Sequence, residues 1–187
     1  MSATQRTLVW RGLDDPSMEF FTLRQMLDGW QLAGTIVAVE NAQPLRVGYV
    51  IDCAADWHTR NVELSLTDAE GERTLSLRAS GTGDWLVGDH RLDAVAGCID
   101  IDLGITPATN TLPIRRLNLA VGESAAVVAT WVRFPTLTIQ TLGQRYTRLA
   151  EHRYHYESDT GFACDLDVDE HGIVTTYPGG WEAIAER

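Results

Sequence analysis

The sequence predicts an all-β domain: a strongly curved antiparallel sheet or half-open β-barrel around an apolar cavity, with one or two short helical turns. Three observations carry this. Nearly every segment alternates apolar and polar residues with a period of two. The segments are short and are punctuated by Gly, Pro, Asn and Asp. Several of them, Met18 to Leu23, Gln31 to Val39 and Ala125 to Phe134, are apolar on both faces. An antiparallel sheet with one wet face has no need of such strands. They call either for two stacked sheets with covered backs or for one curved sheet wrapped around a hollow, and the curved sheet is the reading adopted. With 187 residues the chain fits one domain, 1–187.

In chain order, Thr7 to Gly12 reads as a strand, followed by Ser17 to Arg24 and a turn at Asp28-Gly29. Gln31 to Glu40 and Leu45 to Ala54 form a hairpin across Asn41-Ala42-Gln43-Pro44, residue types that suit turns. Asn61 to Thr67 pairs with the Arg73-Leu75-Leu77 segment across Asp68-Ala69-Glu70-Gly71. Asp84 to Asp93 holds two short strands about Gly88. Ile99 to Leu103 is a strand with Ile99, Ile101 and Leu103 on one face and Asp100 and Asp102 on the other. Ser124 to Phe134, Leu137 to Leu149 and His152 to Glu157 follow. In the last hairpin, Phe162, Cys164, Leu166 and Val168 alternate with Ala163, Asp165, Asp167 and Asp169, and Ile173 to Tyr177 returns. Helix is expected in two places only: within Thr111 to Leu117, where Pro113 is tolerated near the start, and in the tail after Trp181.

The formal charge of −11 opposes nucleic acid and anionic membrane surfaces as partners. All 15 basic residues are arginine, which excludes a lysine Schiff base or a phosphate-loop lysine. Met1 to Arg6 shows no basic start with an apolar run behind it, so no signal peptide is read there, no apolar stretch approaches a membrane span, and a cytoplasmic location is expected. Cys53, Cys98 and Cys164 have neither metal-ligand spacing nor an even count, and are expected as buried thiols. His152 and His155 are three apart on a strand and point to opposite faces, so no metal is expected. Gly122-Glu123-Ser124-Ala125-Ala126 lacks the second glycine of a nucleophile elbow, and Gly81-Thr82-Gly83 is too short for a phosphate loop. No cofactor and no enzyme constellation emerge.

The chemistry-bearing residues gather in three places. Asp52, Trp57 and Arg60 surround the turn between two strands. An indole and a planar guanidinium there suit a sugar or lipid headgroup, whereas a bland reading has Arg60 pairing with Asp56 or Glu63. Asp100 and Asp102, about 7 Å apart at strand rise, stand close in sequence to Asn110, Arg115 and Arg116. They make either an acid–base pair for hydrolysis of a glycoside or ester, or an ion-pair network with the two arginines. Gln144 and Tyr146 lie in phase with Arg148, facing Tyr154 and Tyr156 across the next turn, and Trp131 lies on the preceding strand. Amide and phenol groups converging inside a sheet suit a polyol, and equally an aromatic core.

The same residues carry a resemblance. Asp52 with Trp57-His58-Thr59-Arg60, the stretch Ile99 to Leu117 with its Thr106-Pro107 turn and Arg115-Arg116 pair, Trp131-Val132-Arg133-Phe134-Pro135, Gln144-Arg145-Tyr146, and Tyr177-Pro178 before Trp181 resemble the bacterial glycolipid-binding family, formerly a domain of unknown function. The likeness runs from about Trp10 to Trp181. It implies a half-open barrel similar to those of lipoprotein carriers, around an apolar cavity, and a small amphiphilic ligand with sugar and acyl parts. On that reading the protein is a non-enzymatic binder whose polar mouth is drawn from Asp52, Trp57, Arg60, Asp100, Asp102, Asn110, Arg115, Arg116, Trp131, Gln144 and Tyr146. A hydrolase and a protein-interaction module are the alternatives.

Overall fold

The computed structural model describes residues 5–40 and 42–187. The Asn41 position of the expected hairpin and the first four residues of the segment read for a signal peptide lie outside the described residues. Fifteen strands form one open sheet. They are β1 (Gln5–Gly12), β2 (Ser17–Met26), β3 (Gly29–Glu40), β4 (Gln43–Ala54), β5 (Thr59–Asp68), β6 (Gly71–Ala79), β7 (Trp85–Val87), β8 (His90–Arg91), β9 (Asp100–Leu103), β10 (Ser124–Arg133), β11 (Thr138–Ala150), β12 (Arg153–Ser158), β13 (Ala163–Val168), β14 (Val174–Tyr177) and β15 (Trp181–Glu186). Their order is β8-β7-β6-β5-β4-β3-β2-β1-β15-β14-β13-β12-β11-β10-β9, so the two halves of the chain meet where β1 pairs with β15. The tail after Trp181 is therefore strand rather than helix. Pairing with β1 on one side and β14 on the other outweighs the helical preference of its Ala and Glu residues.

The first half is a meander whose alternation settles into one buried and one wet face. Leu8, Trp10, Phe21, Leu23, Leu32, Ile36, Val47, Ile51, Val62, Leu66 and Leu77 are fully enclosed. Each such side chain removed from water contributes roughly 1.5–3 kcal/mol. The indoles of Trp10 and Trp85 keep a partner inside the core by donating to the carbonyls of Val174 and Cys98, both at 2.7 Å. The doubly apolar strands resolve differently from expectation. Met18, Phe20, Val37 and Val39 point outward and stay 38–60% exposed. Their second apolar face lies on the outside of the sheet, and the inner side of this half is filled by its own side chains.

The second half departs from a pure antiparallel pattern. β9 runs parallel to β10, because the chain between them crosses over through a 3-10 turn (Ala108–Asn110) and a short α-helix, α1 (Thr111–Leu117). Pro113 sits in the first turn of α1, where its missing N–H is no loss. Asn118 ends the helix in the left-handed conformation, φ 43°, and its N–H bonds the Ile114 carbonyl. Leu112 joins the large core of the first half, whereas Ile114 packs into a smaller one with Tyr146, Tyr154, Tyr156, Leu166 and Val174. The short helix is thus wedged between the two cores. Cys53 and Cys98 are buried, Cys164 is half-buried, and none forms a disulfide.

Candidate functional site

Inward positions along β11 and β12 are polar where those of the first half are apolar, and a cavity of about 250 Å³ opens there. Its walls come from β9, the loop Gly104–Pro107, the 3-10 turn, β10, β11, β12 and the β14–β15 connection. Asp102 reaches it from β9. The Gln144 side-chain amide donates to Asp102 Oδ2 at 2.6 Å and to the Tyr156 hydroxyl at 3.1 Å. Beside them the Tyr146 hydroxyl donates to Asn110 Oδ1 at 2.8 Å, and Asn110 Nδ2 donates to the Pro107 carbonyl at 3.1 Å. Aromatic rings complete the wall. Phe162 and Tyr177 stack at 5.6 Å, Tyr156 tilts against both, and Trp131 and Trp181 stand at the sides.

Two glycines set these rings. A Cβ at Gly104 would come within 2.7 Å of Trp131 Nε1, and one at Gly180 within 2.8 Å of Tyr177 Cδ1. Backbone without side chains therefore lets the rings close over it. The cavity adjoins a depression of about 220 Å³, with which it shares Gly104, Gly180 and Trp181 and which adds Ile105, Ala38 and Val39 beside the acids Asp14, Asp15 and Glu40.

The electrostatics of the cavity centre on carboxyls held out of water. Burial raises the pKa of Asp102 to about 6, against the lowering by the Gln144 hydrogen bond. Burial likewise raises Tyr156 and Tyr177 above the ordinary phenol range, with Asp102 adding to both shifts. Glu19, on β2, is a second such carboxyl. It is fully enclosed, accepts a short hydrogen bond from the Tyr49 hydroxyl, and has no partner at Oε2. Burial raises it to about 7, while Thr106 on the cavity wall and Tyr49 pull it down. Gly34 makes this possible, because a Cβ there would meet Glu19 Oε1 at 2.5 Å and the Tyr49 ring at 2.4 Å.

The residues singled out in the sequence fall into two groups. Asp102, Asn110 and Trp131 line the cavity, and Gln144 and Tyr146 are buried behind its wall, bonded to Asp102 and Asn110. Asp52, Trp57, Arg60, Asp100, Arg115 and Arg116 do not join them, and most are engaged elsewhere. Asp52 accepts from Gln31 Nε2 at 2.9 Å, and Arg60 is exposed and pairs with Asp28 at 2.8 Å rather than with Asp56 or Glu63. Trp57 is buried instead of standing at a pocket rim. It stacks on Trp30 at 4.8 Å, lies 5.3 Å under the Arg115 guanidinium, and has a φ of 69°, which a non-glycine residue rarely adopts.

Asp100, 1% exposed, is gripped by Arg116 through two hydrogen bonds of 3.0 and 2.5 Å. The two strand-mates Asp100 and Asp102 thus have unlike surroundings, one an ion pair and the other an amide-bound acid facing a cavity. Neither histidine of the 152/155 pair finds a metal site. His155 bonds Asp165 at 2.7 Å, and no cluster of three metal-ligating groups occurs among the described residues. Glu19, Tyr177 and Phe162 were not among the sequence candidates. The signal for Glu19 was present, since a lone carboxylate in phase with Phe21 and Leu23 stands on a buried face.

Comparison with known proteins agrees with this architecture. The model of a family described as "Putative glycolipid-binding" matches residues 7–183. A crystal structure of a DUF1089 family protein from Pseudomonas aeruginosa superposes with a TM-score of 0.82 at 38% sequence identity, covering 89% of this chain and 91% of that one. No curated protein matches the chain.

Proposed function

The chain belongs to the glycolipid-binding family, and from that premise we propose that it holds an amphiphile by a sugar-type headgroup in the cavity of the second half, without acting on it as an enzyme. One observation supports this above others: Asp102 and Tyr156, bridged from behind by the buried Gln144 amide, line a cavity walled by Trp131, Trp181, Tyr177 and Phe162. Carboxylates and amides bind vicinal hydroxyls in pairs, and aromatic faces accept the apolar C–H face of a pyranose. A volume of about 250 Å³ suits one sugar ring rather than a whole lipid. An acyl part would run over Trp181 into the adjoining depression toward Ile105 and Val39.

Against hydrolysis stands the engagement of Asp100 with Arg116, which leaves Asp102 without that strand-mate as a second carboxylate at the cavity. The uncombined thiols suit a reducing compartment, and we place the binder in the cytoplasm on that ground. Among the described residues no helix is long and apolar enough to cross a membrane.

Titration with octyl glucoside, followed by tryptophan fluorescence, is the test. A saturable change that weakens about tenfold or more in Gln144→Ala and in Trp131→Ala is expected. No saturation, or equal affinity in both variants, would reject the site. Release of chromogenic glycosides or esters that disappears in Asp102→Asn would instead favour the hydrolase.

A further inference from the structure

A second cavity, of about 190 Å³, lies between the end of α1, the β11–β12 turn and the β13–β14 turn. It is built by the next inward residues of the strands that make the first, Arg148 on β11 opposite Tyr154 on β12, together with Arg115 of α1. The described chain has five half-buried arginines: Arg6, Arg73, Arg115, Arg116 and Arg148. Arg6, Arg73 and Arg116 each pair with a carboxylate. Arg115 and Arg148 do not, and these two line the same cavity. In a chain with 26 acidic residues to 15 basic ones, two neighbouring guanidiniums without a carboxylate are the exception that needs a reason.

Their donors are organised. Arg148 is fixed by three carbonyls, donating to Leu119 at 2.8 Å, Glu151 at 2.7 Å and Ala150 at 3.3 Å, which leaves two of its five N–H groups free. Arg115 lies over the Trp57 ring, makes no side-chain hydrogen bond among the described residues, and has a buried Nε without a partner. Gly172, with φ 76°, makes room for its stem, since a Cβ there would meet Arg115 Cδ at 2.9 Å. The Tyr154 ring lies 5.7 Å from the Arg148 guanidinium, burial raises its pKa against the lowering by Arg148 and Arg115, and its hydroxyl has no protein partner among the described residues.

Three acids also line this cavity: Asp169 is engaged, while Glu151 and Glu170 are largely exposed and make no hydrogen bond to their neighbouring histidines. Asp169 accepts from the His171 and Ile173 amides and faces Arg6, Glu151 lies beside His152, and Glu170 beside His171. We propose that this cavity is a binding site for a phosphoryl group, held by Arg115, Arg148 and the Tyr154 hydroxyl. Four terminal N–H groups of Arg115, two of Arg148 and an O–H outnumber what a carboxylate can accept, and match a group with three or four terminal oxygens.

The test is an amide NMR titration of the full chain with inorganic phosphate, with glycerol 3-phosphate, and with vesicles containing phosphatidic acid against phosphatidylcholine alone. Saturable shifts at Gly172 and Tyr154 are expected. They weaken about tenfold in Arg115→Gln and about two- to tenfold in Tyr154→Phe, which removes one hydrogen bond and leaves the ring. Arg145→Gln, on the opposite face of β11, leaves them unchanged. Binding of the soluble phosphates identifies a free phosphate ester as the source; binding of the phosphatidic vesicles alone identifies a lipid headgroup. No saturable shift with any of the three overturns the proposal, as does unchanged affinity in Tyr154→Phe should Arg115→Gln fail to fold. The outcome is independent of octyl glucoside binding, which reports on the other cavity.

Discussion

Along β3 and β4 the inward positions are Leu32, Ile36, Leu45, Val47, Tyr49 and Ile51, mostly aliphatic; along β11 and β12 they are Leu142, Gln144, Tyr146, Arg148, Tyr154 and Tyr156, mostly polar or aromatic. The pleat is the same, and the two halves are joined edge to edge in one sheet. What differs is whether the interior can satisfy itself. Aliphatic side chains close-pack and offer a ligand no polar group, and the Glu19–Tyr49 pair is an exception within this half. Phenols, amides and guanidiniums must find partners, and at two places in the second half they retain unused donors beside empty volume. On the proposed reading the first half is scaffold and the second half carries recognition, although the outer face of the first half also holds a hollow of about 540 Å³ lined by Phe20, Arg24, Val50 and Glu63.

Substitutions can break this contrast, and the largest effects are expected from the scaffold. Trp10→Ala should lower stability by about 3–5 kcal/mol in urea denaturation while sugar affinity per folded molecule stays the same. Arg116→Met, at the junction of the halves, leaves Asp100 buried without its counter-charge and should cost about 3–5 kcal/mol. A cost below 1 kcal/mol would show that Asp100 finds water or another donor.

Glu19→Gln probes the one acid embedded in the scaffold. Its folded pKa of about 7 lies above the ordinary 4.5, so the carboxyl stays neutral in the fold while the unfolded chain ionises. Its stability contribution is complete below pH 4.5 and is lost as pH rises toward 7. The variant, neutral throughout, should gain on the natural chain by on the order of 2–3 kcal/mol between pH 4 and pH 8. A gap that does not change with pH would mean that Glu19 ionises like an exposed acid.

Smaller effects sharpen the second half. Tyr146→Phe leaves Asn110 Oδ1 without its donor and should destabilise by about 1–2 kcal/mol. Smallest in stability and clearest in function is Asp102→Asn. With a pKa of about 6, Asp102 becomes a full acceptor for ligand hydroxyls only as pH rises through that value. Glycoside affinity of the natural chain should thus increase between pH 5 and pH 7, and the variant should be flat across that range.

Much of this was legible in the residues. Period two located the strands, and the phase of Gln144, Tyr146 and Arg148 with Tyr154 and Tyr156 across the turn put them on one face, as found. Thr111 to Leu117 is the helix it was read to be. What periodicity does not encode is curvature. It groups Met18 with Phe20 and Val37 with Val39 without saying that those rows face outward. Nor does it encode partners distant in the chain. Asp100 and Asp102 look alike in sequence and differ because Arg116 lies near one and Gln144 near the other. The β15 strand was missed for the same reason, since its partner β1 lies at the far end of the chain.

The seam between β1 and β15 also governs the order of assembly. A ribosome releases β1 to β8 first, and they can zip into a meander by local hairpins alone. Until β15 emerges, the backbone of β1 presents open amides along a rim with Val9 and Phe20 on its outer side, a template for any stray strand. Pairing with β15 is what covers that border in the finished sheet.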